Sequence, residues 1–208
     1  MFDFNLTYII AGLPGLILAM TVHEYAHARV AVELGDITPR VLGRLTLNPK
    51  AHIDPIGLLC LFLVHFGWAK PVSINPRNFK NPRRDDILVS LAGPFANLAL
   101  AFLSLVALLI YTKMGGGMTQ GISLVFRLII EYNIGFAIFN LLPIPPLDGS
   151  HVLMQLLPRE LAYKLEGLEK YSFIILIIFL MTPVLSMILI PCRELVWQIF
   201  TLLLTPFF

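Results

Sequence analysis

The residues best equipped for chemistry are His23-Glu24-Tyr25-Ala26-His27, an HExxH pattern. Residues i and i+4 share one face of a helix, so both imidazoles can reach a single Zn²⁺. Glu24 stands beside the first of them and can take a proton from water at such a metal. The bland alternative is two hydrated histidines near a membrane interface beside an accidental glutamate.

A catalytic zinc needs a third protein ligand and an open position for water. A metzincin extension would put Gly and His at positions 30 and 33, which are Val30 and Glu33. A thermolysin-like pattern needs a glutamate roughly twenty residues downstream, where the chain reads Leu45-Thr46-Leu47-Asn48. Neither water-soluble pattern fits. Glu33 lies most of two turns beyond His27 and reads as solvated at the helix end. Asp148 is the better third ligand. It follows a largely apolar stretch, and a carboxylate at membrane depth costs on the order of 3 kcal/mol unless it is paired or ligating. Its alternative is an ordinary Asp-Gly surface turn. His151 is three residues from Asp148 and reads as a neighbour rather than a ligand, since a fourth ligand would close the open position. His52 reads as an anchor for the segment after it, and His65 as a satisfied core histidine.

These residues need elements to carry them. Leu6–Val22 has no charge, and the helical pattern continues through His23–Leu34 to a stop at Gly35-Asp36. Pro14 is tolerated in a membrane helix. Asp36–Asp54 has β-branched residues and partial alternation, which predicts short strands or a hairpin. Pro55–Trp68 is apolar but short, either a re-entrant segment or a short helix. Ala69–Asp86 is a Pro/Asn/Arg loop, and Ile87–Thr112 is a charge-free membrane helix. Met118–Phe126 is interrupted by Arg127 and Glu131, which read as an i,i+4 pair near the external surface. Tyr132–Leu147 runs inward and breaks at Pro143–Pro146, because tandem prolines cannot continue a helix. That brings Asp148 to a depth similar to His23. Ser150–Leu157 reads as one more short helix, Pro158–Lys170 as a charged loop, Tyr171–Cys192 as a long apolar segment, and Leu195–Phe208 as a short one.

Composition agrees with this layout. Of 208 residues, 57% are hydrophobic and 13% charged, with a mean hydropathy of +0.81. A soluble domain carries roughly 25% charge. The values exclude an ordinary water-soluble enzyme, a disordered chain and a nucleic-acid binder, and leave an integral membrane protein. The start lacks the basic region of a cleaved leader, so the first helix is expected to stay. Twelve of the 15 Lys and Arg residues lie on one side if Pro55–Trp68 does not cross. That side is assigned to the cytosol. Cys60 and Cys192 are far apart and read as buried thiols. The fold class is therefore an all-α polytopic membrane protein of about five or six membrane segments, with a small β-hairpin or re-entrant element after the first helix.

HEYAHA, Ala92-Gly93-Pro94-Phe95-Ala96-Asn97, and the N-x-x-P-x-P-x-L-D-G run Asn140–Gly149 together resemble the site-2 proteases, in the expected order over roughly residues 8–157. The loop GWAKPVSINPRNFKNPRRDD resembles a compact bacterial branch without a PDZ insert. The resemblance implies one membrane-embedded metalloprotease domain over 1–208, with a core at 8–157 and C-terminal membrane segments at 171–208. It implies a bacterial cell membrane, a site open to the cytosol, and one Zn²⁺ per chain held by His23, His27 and Asp148. Glu24 would be general base and then proton donor. The substrate would be a transmembrane protein or peptide in the lipid bilayer, cleaved in or next to its membrane segment. Asn97 and Asn140 match asparagines thought to position substrate or steady the backbone, although either can instead be a helix-packing polar group. Asp36–Asp54 is similar to a membrane-associated β element that pairs with extended substrate. Two rivals use the same residues. One is a non-catalytic zinc-binding membrane protein, against which Glu24 speaks. The other is a metal transporter, which calls for further intramembrane carboxylates along a path.

Overall fold

The computed structural model describes residues 6–57, 60, 67–167 and 169–207. The helices among them are α1 (Leu6–Glu33), α2 (Thr38–Val41), α3 (Pro82–Lys113), α4 (Gln120–Asn140), α5 (Asp148–Leu156), α6 (Arg159–Glu166), α7 (Ser172–Leu180) and α8 (Val184–Leu204). Four of them, α1, α3, α4 and α8, are long and apolar enough to cross a membrane. The chain is an integral membrane protein. Five or six segments were expected and four candidates are found among the described residues. The nine residues of α7 reach only about 14 Å. Most of the segment 55–68, His65 included, lies outside the described residues.

Lipid offers helices no hydrophobic reason to associate, so close approach of small residues does that work. Here α1, α3 and α4 pack on one another. Ala19, Ala28 and Ala31 of α1, Ala101 of α3 and Ala137 of α4 are fully buried. A Cβ added at Gly15 would stand 2.9 Å from the Cα of Ile129, so only glycine lets α1 and α4 approach so closely. The α3 helix starts where α1 ends: Ala31, Phe79 and Val89 form one buried cluster. At the opposite end, Lys113 of α3 donates to the Phe207 carbonyl just past α8.

The stretch 36–54 is a correction to the sequence reading. It contains α2, a 3₁₀ turn at Pro49–Ala51 and no strand. The one extended pairing it joins is an isolated antiparallel bridge between Ile53 and Ala69. Turn chemistry outweighed β-branched alternation. Pro39 and Pro49 remove ladder donors and suit the first turn of a helix. The Asn48 side chain accepts the Lys50 N–H. The chain leaves α1 through Gly35 at φ +112°. Asp36 then accepts from Thr38 N–H and Oγ1, from Asn75 N–H and from Asn78 Nδ2. Burial alone would raise the Asp36 pKa. The Asn75 N–H, the Thr38 hydroxyl, the Asn78 amide and the Thr38 N–H outweigh it and hold the carboxyl below its ordinary 3.8.

Further expectations change as well. Arg127 and Glu131 do not interrupt a helix, because α4 runs unbroken through both. Glu131 sits near the middle of α4 and pairs with Arg193 of α8 at 3.4 Å, rather than with Arg127 at an outer surface. The charged stretch expected as a loop holds α6. The apolar run from Tyr171 is broken between α7 and α8 at Met181–Pro183, and α8 absorbs the segment that begins at Leu195.

Candidate metal centre and active site

His23 and His27 lie one turn apart on α1 and are 3% and 6% exposed. Their Nε2 atoms are 3.0 Å apart. Asp148, in the first turn of α5, brings Oδ2 to 3.1 Å from His23 Nε2 and 3.4 Å from His27 Nε2. The bend Leu141–Leu147 delivers this carboxylate. Gly149 is required there, since a Cβ would lie 2.2 Å from the Leu141 carbonyl oxygen. The Asp86 carboxylate accepts the Gln155 amide at 2.8 Å and ties α5 to α3.

The protonation pattern follows from the partners. His27 Nδ1 faces the Val89 carbonyl at 2.7 Å, which can only accept. His23 Nδ1 faces Asn97 Oδ1 at 2.7 Å. The Asn97 Nδ2 group is committed to the Ala19 carbonyl at 2.9 Å and to Asn133 Oδ1 at 2.8 Å, so its Oδ1 is the end that meets His23. Both imidazoles therefore donate from Nδ1 and turn an Nε2 lone pair inward, the arrangement of metal-ligating histidines with outer partners. Asp148 Oδ2 is buried with no hydrogen-bond donor. Three mutually facing lone pairs repel one another unless a cation lies among them. A tetrahedral ion with bonds of 2.0–2.1 Å spaces its donor atoms by about 3.3–3.4 Å. These three residues fit zinc.

Gly93 of α3 makes room for the pair. A Cβ there would come within 2.5 Å of His27 Nε2 and 2.6 Å of His23 Cε1. Phe136 of α4 meets the His23 ring edge-on, with centroids 5.4 Å apart.

Glu24 is 8% exposed, and its Oε2 accepts the Val72 N–H at 2.9 Å. A cleft of about 510 Å³ is lined by Glu24, His27, Val72, Asp86, Asp148 and His151, among others. A second, apolar cavity of about 320 Å³ has Met20, Trp68, Phe136, Phe139 and Leu189 in its wall.

Of the residues named from the sequence, His23, His27 and Asp148 come together, and Glu24 lines the same cleft. Asn97 is fully buried, and the amide partners found for it are His23, Ala19 and Asn133. Asn140 donates to the Phe136 carbonyl of its own helix at 2.9 Å and is not among the residues lining the cleft. His52 is fully buried, with Nε2 2.7 Å from the Thr46 carbonyl oxygen. Sequence reasoning missed Asn133, Val72 and the Val89 carbonyl. Asn133, a polar residue in the apolar run after Glu131, was the only one of these with a signal to follow.

Comparison with known proteins adds relatives. Residues 108–183, which hold all of α4, the bend and Asp148, match the family described as Peptidase family M50. YwhC of Bacillus subtilis, which bears a zinc-metalloprotease name, is 39% identical over 199 residues, covering 92% of this chain and 91% of that protein. Rip2 of Mycobacterium tuberculosis, named in the same way, is 32% identical over 181 residues, covering 84% of this chain and 68% of that one. MJ0611 of Methanocaldococcus jannaschii is 42% identical over 65 residues, 31% of each chain. No solved structure matches.

Proposed function

Because the chain belongs to peptidase family M50, the site-2 proteases, and is a zinc metalloprotease, we propose that it hydrolyses peptide bonds within or beside transmembrane segments of membrane proteins, with Glu24 as general base. The observation that carries this reading is the convergence of His23 Nε2, His27 Nε2 and Asp148 Oδ2 beside a cleft lined by Glu24, His27 and Asp148.

In this reading those three side chains hold the ion, which when bound supplies Lewis acidity to the scissile carbonyl and to the attacking water. Glu24 Oε1 takes the proton as the water oxygen bonds to the carbonyl carbon. It returns that proton to the amide nitrogen as the C–N bond breaks, giving a carboxylic acid and an amine. The Val72 N–H on Oε2 keeps the carboxylate turned to the cleft. Asn97 acts through His23 by fixing its tautomer, and Asn140, at the end of α4, is left to meet substrate where the chain bends. An amide inside a helix is shielded by its i→i−4 bond, so the substrate unwinds locally and helix-weakening residues favour cleavage. The apolar cavity lined by Phe136 suits side chains of a membrane-spanning segment. The excess of basic residues in 29–84 and 159–170 supports a cleft that opens to the cytosol.

The test is to purify the protein in detergent, measure zinc per chain, and follow cleavage of transmembrane peptides by wild type and Glu24→Gln. Wild type should cleave and Glu24→Gln should lose roughly a hundredfold or more in kcat, with zinc retained. Equal cleavage by both forms removes Glu24 from the mechanism. Bound zinc with no turnover on a broad peptide panel favours a non-catalytic binding protein.

A further inference from the structure

Arg44 is 7% exposed, and no carboxylate pairs with it among the described residues. A guanidinium removed from water needs its donors satisfied. Arg44 satisfies them on main-chain carbonyls: Nη1 donates to Ala51, and Nη2 to Lys70 and to Pro71, the last at 2.7 Å. Two of these three carbonyls immediately precede Val72, the residue whose N–H donates to Glu24 Oε2 at 2.9 Å. The incoming side of the segment is tied separately, by the Lys70 N–H to the His52 carbonyl at 2.8 Å and by the bridge from Ala69 to Ile53. Pro71 has no N–H with which to anchor itself, so its carbonyl is the available handle, and Arg44 holds it.

We propose that Arg44 is a positioning residue for the reaction, fixing the Lys70–Val72 backbone so that the Val72 N–H sets the orientation of Glu24. The inference rests on the reading of Glu24 as general base. It separates two functions that share α1. The zinc ligands are supported from behind by Asn97 and Val89, neither of which Arg44 touches. Loss of Arg44 should therefore spare metal binding and impair turnover. Lysine is no substitute, because one ammonium cannot reproduce a planar fork that reaches Ala51 with one arm and Lys70 and Pro71 with the other.

The experiment compares wild type, Arg44→Ala, Arg44→Lys and Val72→Pro, which deletes the donor itself. Each is purified in detergent and scored for zinc per chain, for hydrogen exchange in a peptide covering residues 70–75, and for kcat and KM on a transmembrane peptide that wild type cleaves. Both Arg44 variants should keep wild-type zinc, exchange Val72 roughly tenfold faster or more, and lose roughly tenfold to a hundredfold in kcat with KM nearly unchanged. Val72→Pro should show the same kcat loss. Unchanged Val72 exchange in Arg44→Ala, rescue by Arg44→Lys, or wild-type kcat in Val72→Pro overturns the proposal. If Arg44→Ala does not fold, Arg44→Lys and Val72→Pro decide. A wild type that binds zinc and cleaves nothing fails the reading of Glu24 alone, and faster Val72 exchange in Arg44→Ala still decides whether Arg44 pins the segment.

Discussion

Asn97 is the residue whose role the geometry discriminates most sharply. A substrate-binding amide needs an open face, whereas this one is fully buried and joins α1 and α4 through His23, Ala19 and Asn133. Its oxygen keeps the His23 proton on Nδ1 and so leaves the Nε2 lone pair for metal. Asn97→Ala removes that acceptor. Outer partners of this kind are worth about tenfold to a hundredfold in metal affinity, so chelator competition should show zinc held that much more weakly. At saturating zinc, KM should stay near the wild-type value. A raised KM with unchanged zinc affinity would instead mean that Asn97 touches substrate. HEYAH was legible from the sequence because i,i+4 spacing is a local property of any helix. Gly93 was visible only as part of a motif. Its reason, two imidazole rings at 2.5–2.6 Å from the missing Cβ, belongs to the packing of α3 on α1.

At the scale of elements, the end of α1 and the break before Asp148 were legible because glycine and tandem prolines act on their own backbone. The unbroken course of α4 was not. A glutamate in an apolar run reads as an interruption until its partner, Arg193 on another helix, is known. The stretch 36–54 was misread because its alternating residues spoke for strands while the deciding bonds come from far along the chain. Asp36 takes two of its hydrogen bonds from Asn75 and Asn78. This buried carboxylate joins the exit of α1 to the loop leading into α3. Hydrogen bonds to charged groups contribute about 1.5–3 kcal/mol each in net terms, so Asp36→Asn should destabilise the protein by an amount of about that size. The sign of the pH dependence follows from the depressed pKa. The stabilisation is complete above the ordinary value near 3.8 and is lost as pH falls through the lower folded-state value. Thermal melts in detergent from pH 7 to pH 3 should show wild type and Asp36→Asn converging only below about pH 4. A gap that stays constant across that range would mean that Asp36 carries no charge-dependent share of stability.

For the whole molecule, scarcity of charge is the governing fact: 13% of residues are charged, and in lipid each must be placed outside the apolar layer or paired within it. Most basic residues lie in the stretches 29–84 and 159–170, among loops, short helices and helix ends. Arg127, Glu131, Arg193 and Glu194 are exceptions that lie within α4 and α8, and of these Glu131 and Arg193 pair at 3.4 Å. The α8 helix packs mainly against α4, along a seam of Ile134, Ile138, Leu189 and Val196. The ion pair is the polar tie in that seam, and Glu131 also lines the apolar cavity beside Phe136. Removing one partner leaves the other charge without its ion pair within the span, where a lone charge costs up to about 2.5–3.5 kcal/mol. Removing both leaves an apolar contact, and replacing an ion pair held out of water by apolar residues is often neutral. In lipid nanodiscs, Glu131→Leu and Arg193→Leu should each lower the unfolding midpoint, and the double variant should regain at least half of the larger loss. Detergent micelles, which let water nearer to the pair, should show the same order with smaller gaps. A double variant as unstable as the two single losses added together would show that the charges act independently, and that α8 is held to α4 by its apolar seam alone.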